Sequence, residues 1–276
     1  MKLIADSGST KTDWLLLDKD KKISFQTGGI NPLFLTEENI KKEIQKAFPA
    51  DVSFSDIRAL YFYAAGCSTK ERCFSLQQLL QTIFTKAEIS TESDLLGAAR
   101  ALFQHEKGLA CILGTGSNSC VYDGKEIVQN VTSLGYILGD EGSGAHIGKN
   151  FLIALLNNEL PQEVLSDFEK EFSLEAEEIV QQLYTADYPS RFLASFAPFV
   201  AKHLQITAVA NIVEESFALF FKHQIDKYKY QNLPIAFVGS IAWNFQTQLS
   251  KELQKRNFEA PLYLSKPIEK LAEYHA

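Results

Sequence analysis

Residues 1–18, MKLIADSGSTKTDWLLLD, decide how the rest of the chain is read. Lys2 to Ala5 and Trp14 to Leu17 are short apolar runs, and between them lies Asp6-Ser7-Gly8-Ser9-Thr10-Lys11-Thr12-Asp13. The pattern predicts a β-hairpin whose turn has unusual chemistry. Backbone amides freed from sheet pairing, the hydroxyls of Ser7, Ser9, Thr10 and Thr12, and the Lys11 ammonium can surround a polyphosphate, while Asp6 at the strand end can hold Mg²⁺ through water. A Walker loop is excluded, because Lys11-Thr12 leads into a strand and the GxxxxGK[ST] spacing is missing. An ordinary polar hairpin tip has the same composition, so the turn alone leaves both readings open.

The same device returns later. Gly108 to Leu113 is a strand, Gly114 to Ser119 (GTGSNS) a turn, and Ser119 to Tyr122 the returning arm. Gly114 and Gly116 let the backbone approach an anion closely, and Thr115, Ser117 and Asn118 add donors. A third Gly/Ser site, VGSIAWN at Val238 to Asn244, has the form of a strand end delivering a glycine to a ligand before a helix. The repeat predicts two related halves with a border at about residue 105, giving lobes 1–105 and 106–276. Between the hairpins, Ile57–Ala64 and Ala87–Thr91 read as strands, and Thr36–Phe48, Thr69–Phe84 and Asp94–Gln104 as helices. After them come helices over Gly144–Leu156, Pro161–Phe168, Leu174–Tyr184 and a long stretch from Ser190 to Tyr228, then a strand over Ile235–Val238. The alternation implies an α/β class with two sheets.

Composition narrows the partners. With 276 residues, 46% hydrophobic and 22% charged, the chain has material for one large domain or two modest ones. A net charge of −7 gives no general attraction to nucleic acid or anionic membrane, so a small molecule is the expected partner. The N-terminus turns acidic too soon for a secretory signal and no window is apolar enough to span a bilayer, which reads as cytoplasmic. Cys67, Cys73, Cys111 and Cys120 lack CxxC spacing and are expected as free buried thiols.

Five stretches together resemble a known group: DSGSTKTDW, Asp94-Leu95-Leu96-Gly97-Ala98-Ala99, GTGSNS, LGYILGDEGSG at Leu134 to Gly144, and VGSIAW. They are similar in kind and order to the N-acetylglucosamine kinase group of the BadF/BadG/BcrA/BcrD-type ATPases, within the sugar kinase, actin and heat-shock ATPase superfamily. The resemblance implies two ribonuclease H-like (actin-like ATPase) lobes with ATP and Mg²⁺ in the cleft between them, a helical insert in the second lobe, and a last helix packing on the first. A homodimer is one assembly it leaves open. It further implies that Asp6 organises the metal and that Ser9, Thr10, Lys11, Thr115 and Gly116 contact phosphates. Gly239, Ser240 and Trp243 would border the adenosine. The sugar acceptor would meet Asn31, Ser117, Asn118, Ser133, Leu134, Gly135 and Asp140, with Asp94 as catalytic base. The tail LSKPIEKLAEYHA departs from the group, with Glu269-Lys270 where small residues are usual.

On spacing alone Asp94 is a first-turn acid complementing its helix dipole, and Asp140-Glu141 are acids preceding another helix. With the resemblance, Asp94 orients an acceptor hydroxyl and takes its proton, and Asp140 accepts paired sugar hydroxyls. His146, one helical turn from Asn150, reads as structural. The expected activity is phosphorylation of an amino-sugar hydroxyl. The competing functions are an iron-sulfur activator ATPase from the other branch of the same family, and a non-catalytic ATP or sugar sensor.

Overall fold

In the computed structural model, which describes residues 1–19, 21–229 and 232–276, the opening hairpin is longer than the apolar runs alone suggest. Strand β1 (Lys2–Ser7) and β2 (Lys11–Asp18) pair almost to the turn, with Asp6 opposite Asp13 and Ser7 opposite Thr12. There follow β3 (Lys21–Gly28), α1 (Glu37–Ala47), β4 (Ala59–Ala64), α2 (Lys70–Ile83), β5 (Glu88–Ser93) and α3 (Asp94–Phe103). The second series is β6 (Gly108–Leu113), β7 (Ser117–Tyr122), β8 (Ile127–Asn130), α4 (Gly135–Leu138), α5 (Gly144–Leu156), α6 (Gln162–Phe172), α7 (Ala176–Thr185), α8 (Pro189–Ala194), α9 (Ala197–Lys202) and α10 (Thr207–His223). It ends with β9 (Ile235–Val238), α11 (Ser240–Asn244), α12 (Gln246–Lys255), β10 (Leu262–Leu264) and α13 (Ile268–Tyr274).

Two five-stranded sheets result, ordered β3-β2-β1-β4-β5 and β10-β9-β6-β7-β8. Read from its other edge the second is β8-β7-β6-β9-β10, the same order as the first with each strand number raised by five, so the repeated device belongs to a repeated sheet. In the first sheet β1, β4 and β5 pair in parallel, and β2 alone runs the other way, antiparallel to both β1 and β3. The chain divides into two compact units: Met1–Glu106 with Tyr122–Ile127 and Lys266–Ala276, and Lys107–Val121 with Val128–Ser265.

Alternation along the strands sorts the first sheet's faces. Leu3, Ala5, Trp14, Leu16, Leu60, Phe62 and Ile89 form one core with Ile40, Ile44, Leu76 and Leu80 of α1 and α2. Trp14 stacks on Phe25 at 5.6 Å and meets Phe62 edge-on at 5.4 Å. Lys2, Ile4, Asp6, Tyr61 and Tyr63 belong to the opposite face, against which α3 and α13 pack. In the tail, Ile268, Leu271 and Ala272 are buried, whereas Glu269 bonds Lys22 at 3.1 Å on the surface, so the unusual Glu269-Lys270 pair points outward. The second unit buries an aromatic core that includes Phe151, Phe199, Phe217, Phe220 and Phe237.

One expectation is corrected. Ser190 to Tyr228 is broken into α8, α9 and α10, with proline in the first turn of both α8 and α9, where its missing N–H costs nothing. Strands β8 and β10, of four and three residues, are too short for a periodic signal. On the strand read over Ile57–Ala64, Tyr61 lies flat on His275 with ring centroids 3.6 Å apart. Among the described residues no helix is long and apolar enough to cross a membrane.

Candidate functional site

In the first unit, parallel register sets the chemistry. Ser7 pairs with Ala64, and Ala64 with Ser93, so β1, β4 and β5 end together. Asp6 lies one residue short of that edge and Asp94 one residue beyond it, at the carboxyl ends of parallel strands where α/β sheets bind ligands. Ser93 caps α3 by accepting the Leu96 N–H at 3.2 Å, and the Asp94 Oδ1 accepts the Leu95 N–H at 2.9 Å. Burial pushes the Asp94 carboxyl up to about 6, partly offset by those backbone bonds. Asp6 is pushed up to about 7, first by burial and then by the charges of Asp94 and Asp13, against the pull of Lys11.

Asp13 shows the contrast. Burial raises it too, but Lys11 at 2.9 Å, Gln26 and Lys266 at 3.4 Å outweigh burial and hold the carboxyl below its usual range. The Lys11 ammonium, expected on a phosphate, therefore rests on Asp13. No bond from a described residue reaches the Asp6 carboxylate in this way. A carboxylate held up near neutrality without a donor, at a strand edge, fits Mg²⁺. Mg²⁺ is generally held through one or two carboxylates, water and phosphate oxygens, and Asp6 could supply one such carboxylate.

The hairpin tip corrects the expectation that every hydroxyl in it faces a ligand. Ser7 and Thr12 are fully buried and bonded to each other at 2.7 Å. The Ser7 hydroxyl donates to the Ile30 carbonyl at 3.0 Å, that of Thr12 donates to the Gly28 carbonyl at 3.1 Å, and Ser7 accepts the Ile30 N–H at 2.9 Å. They fasten the turn to the Gly28–Asn31 loop. Only Ser9, half-buried, and Thr10, exposed, stay at the tip. Gly29 must lack a side chain, since a Cβ there would come within 2.5 Å of the Gly8 carbonyl. Asn31 is buried against Gly66 and spends its Oδ1 on the Leu33 N–H at 2.9 Å.

In the second unit, the GTGSNS turn sits on the start of α5: the Gly144 and Ala145 N–H groups donate to the Gly114 and Thr115 carbonyls at 2.8 and 3.1 Å. The first amides of that helix are thus spent on the turn. A Cβ on Gly116 would lie 2.9 Å from the Asp140 carboxylate, and one on Gly239, whose φ is +117°, would lie 2.3 Å from the Leu113 carbonyl. Turn, acid and third glycine site therefore converge. Ser240 opens α11, where Trp243 is about half exposed. Asp140 is raised by burial, offset in part by the Ser133 hydroxyl at 3.1 Å and the Ser117 backbone. Ser117 is buried, and the Asn118 Oδ1 accepts from Ser119 N–H and Asn130 Nδ2 at 2.9 and 3.0 Å. Leu134 is exposed beside Gly135, whose φ is +72°.

Some partners lay beyond any local signal. Ser216 on α10 accepts the Gly142 N–H at 3.0 Å and bonds the His146 Nδ1 at 2.8 Å, while His223 pairs with Glu141 at 2.7 Å. Burial, with the Lys149 charge, pushes His146 down to about 4, so it is neutral at pH 7 and structural. Cys67, Cys111 and Cys120 are buried and Cys73 half-buried, its thiol donating to the Cys67 carbonyl at 3.4 Å.

Two mixed sheets of identical order, each opening on a hairpin with a Gly/Ser/Thr turn, define the two-lobed class of actin-like ATPases and sugar kinases. The chain belongs to the BadF/BadG/BcrA/BcrD ATPase family, whose model matches residues 5–268. It is similar, at 42% identity and a TM-score of 0.93, to a protein from Porphyromonas gingivalis described as a "Putative N-acetylglucosamine Kinase", over 100% of this chain and 98% of that one. A protein of the same description from Chromobacterium violaceum shares the fold, at 17% identity and a TM-score of 0.72 over 100% and 98% of the two chains. So does a ROK family glucokinase from Streptomyces griseus solved with glucose and AMPPNP, at 12% identity and a TM-score of 0.59 over 99% and 98%. No curated protein sequence matches the chain.

Proposed function

We propose that this protein transfers the terminal phosphoryl group of ATP to a hydroxyl of an amino sugar of the N-acetylglucosamine type. The observation that carries the reading is the Asp6–Asp94 pair: two carboxyls at one sheet edge, raised to about 7 and 6. An acid pair strained in this way is a functional-site signature. Likeness to the Porphyromonas gingivalis protein supports the choice of sugar.

Phosphoryl transfer demands positioning and charge compensation more than covalent help. Asp94 orients the acceptor hydroxyl and receives its proton as the phosphoryl arrives; a base poised about one unit below neutrality is ionised at pH 7 yet still basic enough to take that proton. Asp6 would hold Mg²⁺, which when bound neutralises phosphate charge. Thr10 and Ser9 at the first turn and Thr115 and Gly116 at the second would contact phosphates, and Gly239, Ser240 and Trp243 the adenosine. Asp140, steadied by Ser133, would accept sugar hydroxyls, with Asn31, Ser117, Asn118, Leu134 and Gly135 shaping the acceptor pocket.

The test is ADP release from Mg-ATP with and without N-acetylglucosamine, N-acetylmuramic acid, glucosamine and glucose. Release that depends on an amino sugar supports the reading. ATP bound or hydrolysed with no sugar dependence refutes it and favours an activator or sensor.

A further inference from the structure

We propose that His275, which caps α13, is a positioning residue for Asp94, acting through Tyr63 and helix α3. This rests on the assignment of Asp94 as base. The guanidinium of Arg100 can only donate, and its Nη1 lies 3.0 Å from the Tyr63 hydroxyl. The Tyr63 oxygen therefore accepts from Arg100, and its own proton goes to the His275 Nε2 at 2.7 Å. That direction fixes His275 as a neutral imidazole with the proton on Nδ1. Burial, with the charges of Arg100 and Lys2, pushes its pKa down to about 4 and keeps it so.

His275 is itself clamped. Its ring lies on Tyr61, its carbonyl accepts from Lys2, and the neighbouring Tyr274 ring lies under Arg100 at 5.1 Å. One turn earlier, the Lys270 carbonyl accepts from Gln104 at the end of α3, at 3.0 Å.

Tyr63 passes this order on. Its backbone is the register partner of Asp6. Its ring is pressed against Gly97, where a Cβ would fall 2.8 Å from the ring carbons. Gly97 is three residues after Asp94 on α3. The α13 bonds thus hold a residue whose backbone pairs with the metal-site strand and whose ring packs on the base-bearing helix.

The variants His275→Ala, His275→Asn and His275→Gln test this. A Gln oxygen reaches to about where Nε2 stands and can accept from Tyr63; an Asn oxygen falls short. Hydrogen exchange is read first, because it is independent of turnover. His275→Ala and His275→Asn should exchange faster at the amides of residues 94–103, with residues 144–156 unchanged, and His275→Gln should restore protection. In the sugar-dependent assay the same two variants should lose roughly ten- to a hundredfold in kcat, the cost of a misplaced catalytic group, with KM for ATP within about twofold and Gln again rescuing. Tyr63→Phe, which keeps the ring on Gly97, should cost less on top of His275→Ala than it does alone, because the two changes share the Tyr63–His275 bond. Wild-type exchange at residues 94–103 in His275→Ala overturns the proposal. So does faster exchange with unaltered kcat in an enzyme that phosphorylates sugar. If the wild-type protein phosphorylates no sugar, the function has failed instead, and loss of protection rescued by Gln still upholds the positioning of α3.

Discussion

Asp94 stands one residue past β5, with the Leu95 amide of its own helix on one oxygen. Asp94→Asn keeps the shape and removes the basicity. It is expected to lower kcat by about 10²- to 10⁴-fold, the span of a lost general base, with ATP affinity nearly unchanged by calorimetry. Because the proposed base must be ionised to act and its carboxyl is pushed up to about 6, wild-type kcat/KM should fall on the acid side with a midpoint near that value. Asp6 makes a separate prediction. Its folded pKa of about 7 exceeds the ordinary 3.8, so the folded state binds this proton more tightly than the unfolded chain does. The sign follows: stability is lost as pH rises from about 4 through 7, and the ionised group is a burden above that, on the order of 4 kcal/mol. Asp6→Asn should therefore raise Tm by a few degrees at pH 8, leave it nearly unchanged at pH 4, and abolish Mg-dependent turnover. An unchanged Tm at pH 8 would mean that Asp6 is less desolvated than its surroundings imply.

Elements meet through glycines as much as through apolar stripes. Gly148 on α5 lies against α8 so closely that a Cβ would fall 1.9 Å from the Leu193 carbonyl. Alanine favours helices by about 1 kcal/mol over glycine, but a backbone oxygen cannot rotate away, and forced overpacking costs about 1–3 kcal/mol. Gly148→Ala should thus be net destabilising in urea titration, with wild-type pH dependence of turnover in the folded fraction. This contact was invisible in the sequence, where Gly148 is one small residue in an apolar helix. What could be read were features with local causes: both hairpins, the helix opening at Thr36, whose hydroxyl accepts the Asn39 N–H at 3.3 Å, and the helix opening at Asp94. The same holds at the site. The places of Asp6 at a strand end and of Asp94 at a helix start were legible because both features are local. The inward turn of Ser7 and Thr12 was not, since it depends on Ile30 more than seventeen residues away. Nor was the Asp13 hold on Lys11, which needs the register of β1, β2 and β3.

At the scale of the whole chain, the first unit is assembled from three separate segments, the last being Lys266–Ala276. That segment adds Ile268, Leu271 and Ala272 to the face carrying Asp6, Tyr61 and Tyr63, and Lys266 to Asp13. Burying an Ile and a Leu contributes about 1.5–3 kcal/mol each, a large share of the roughly 5–15 kcal/mol that holds a domain folded. The surface pair Lys22–Glu269 adds little, as exposed ion pairs do. A chain ending at Ser265 should accordingly weaken the first unit and spare the second. The protein has two tryptophans, Trp14 buried in the first unit and Trp243 on α11 in the second, so Trp14→Phe and Trp243→Phe backgrounds report each unit separately. In urea, truncation should move the Trp14 transition to lower denaturant by an amount matching several kcal/mol while the Trp243 transition stays within error. If both transitions move together, the two units unfold as one cooperative body, and the stability contributed by α13 is shared across the chain rather than confined to the sheet it covers.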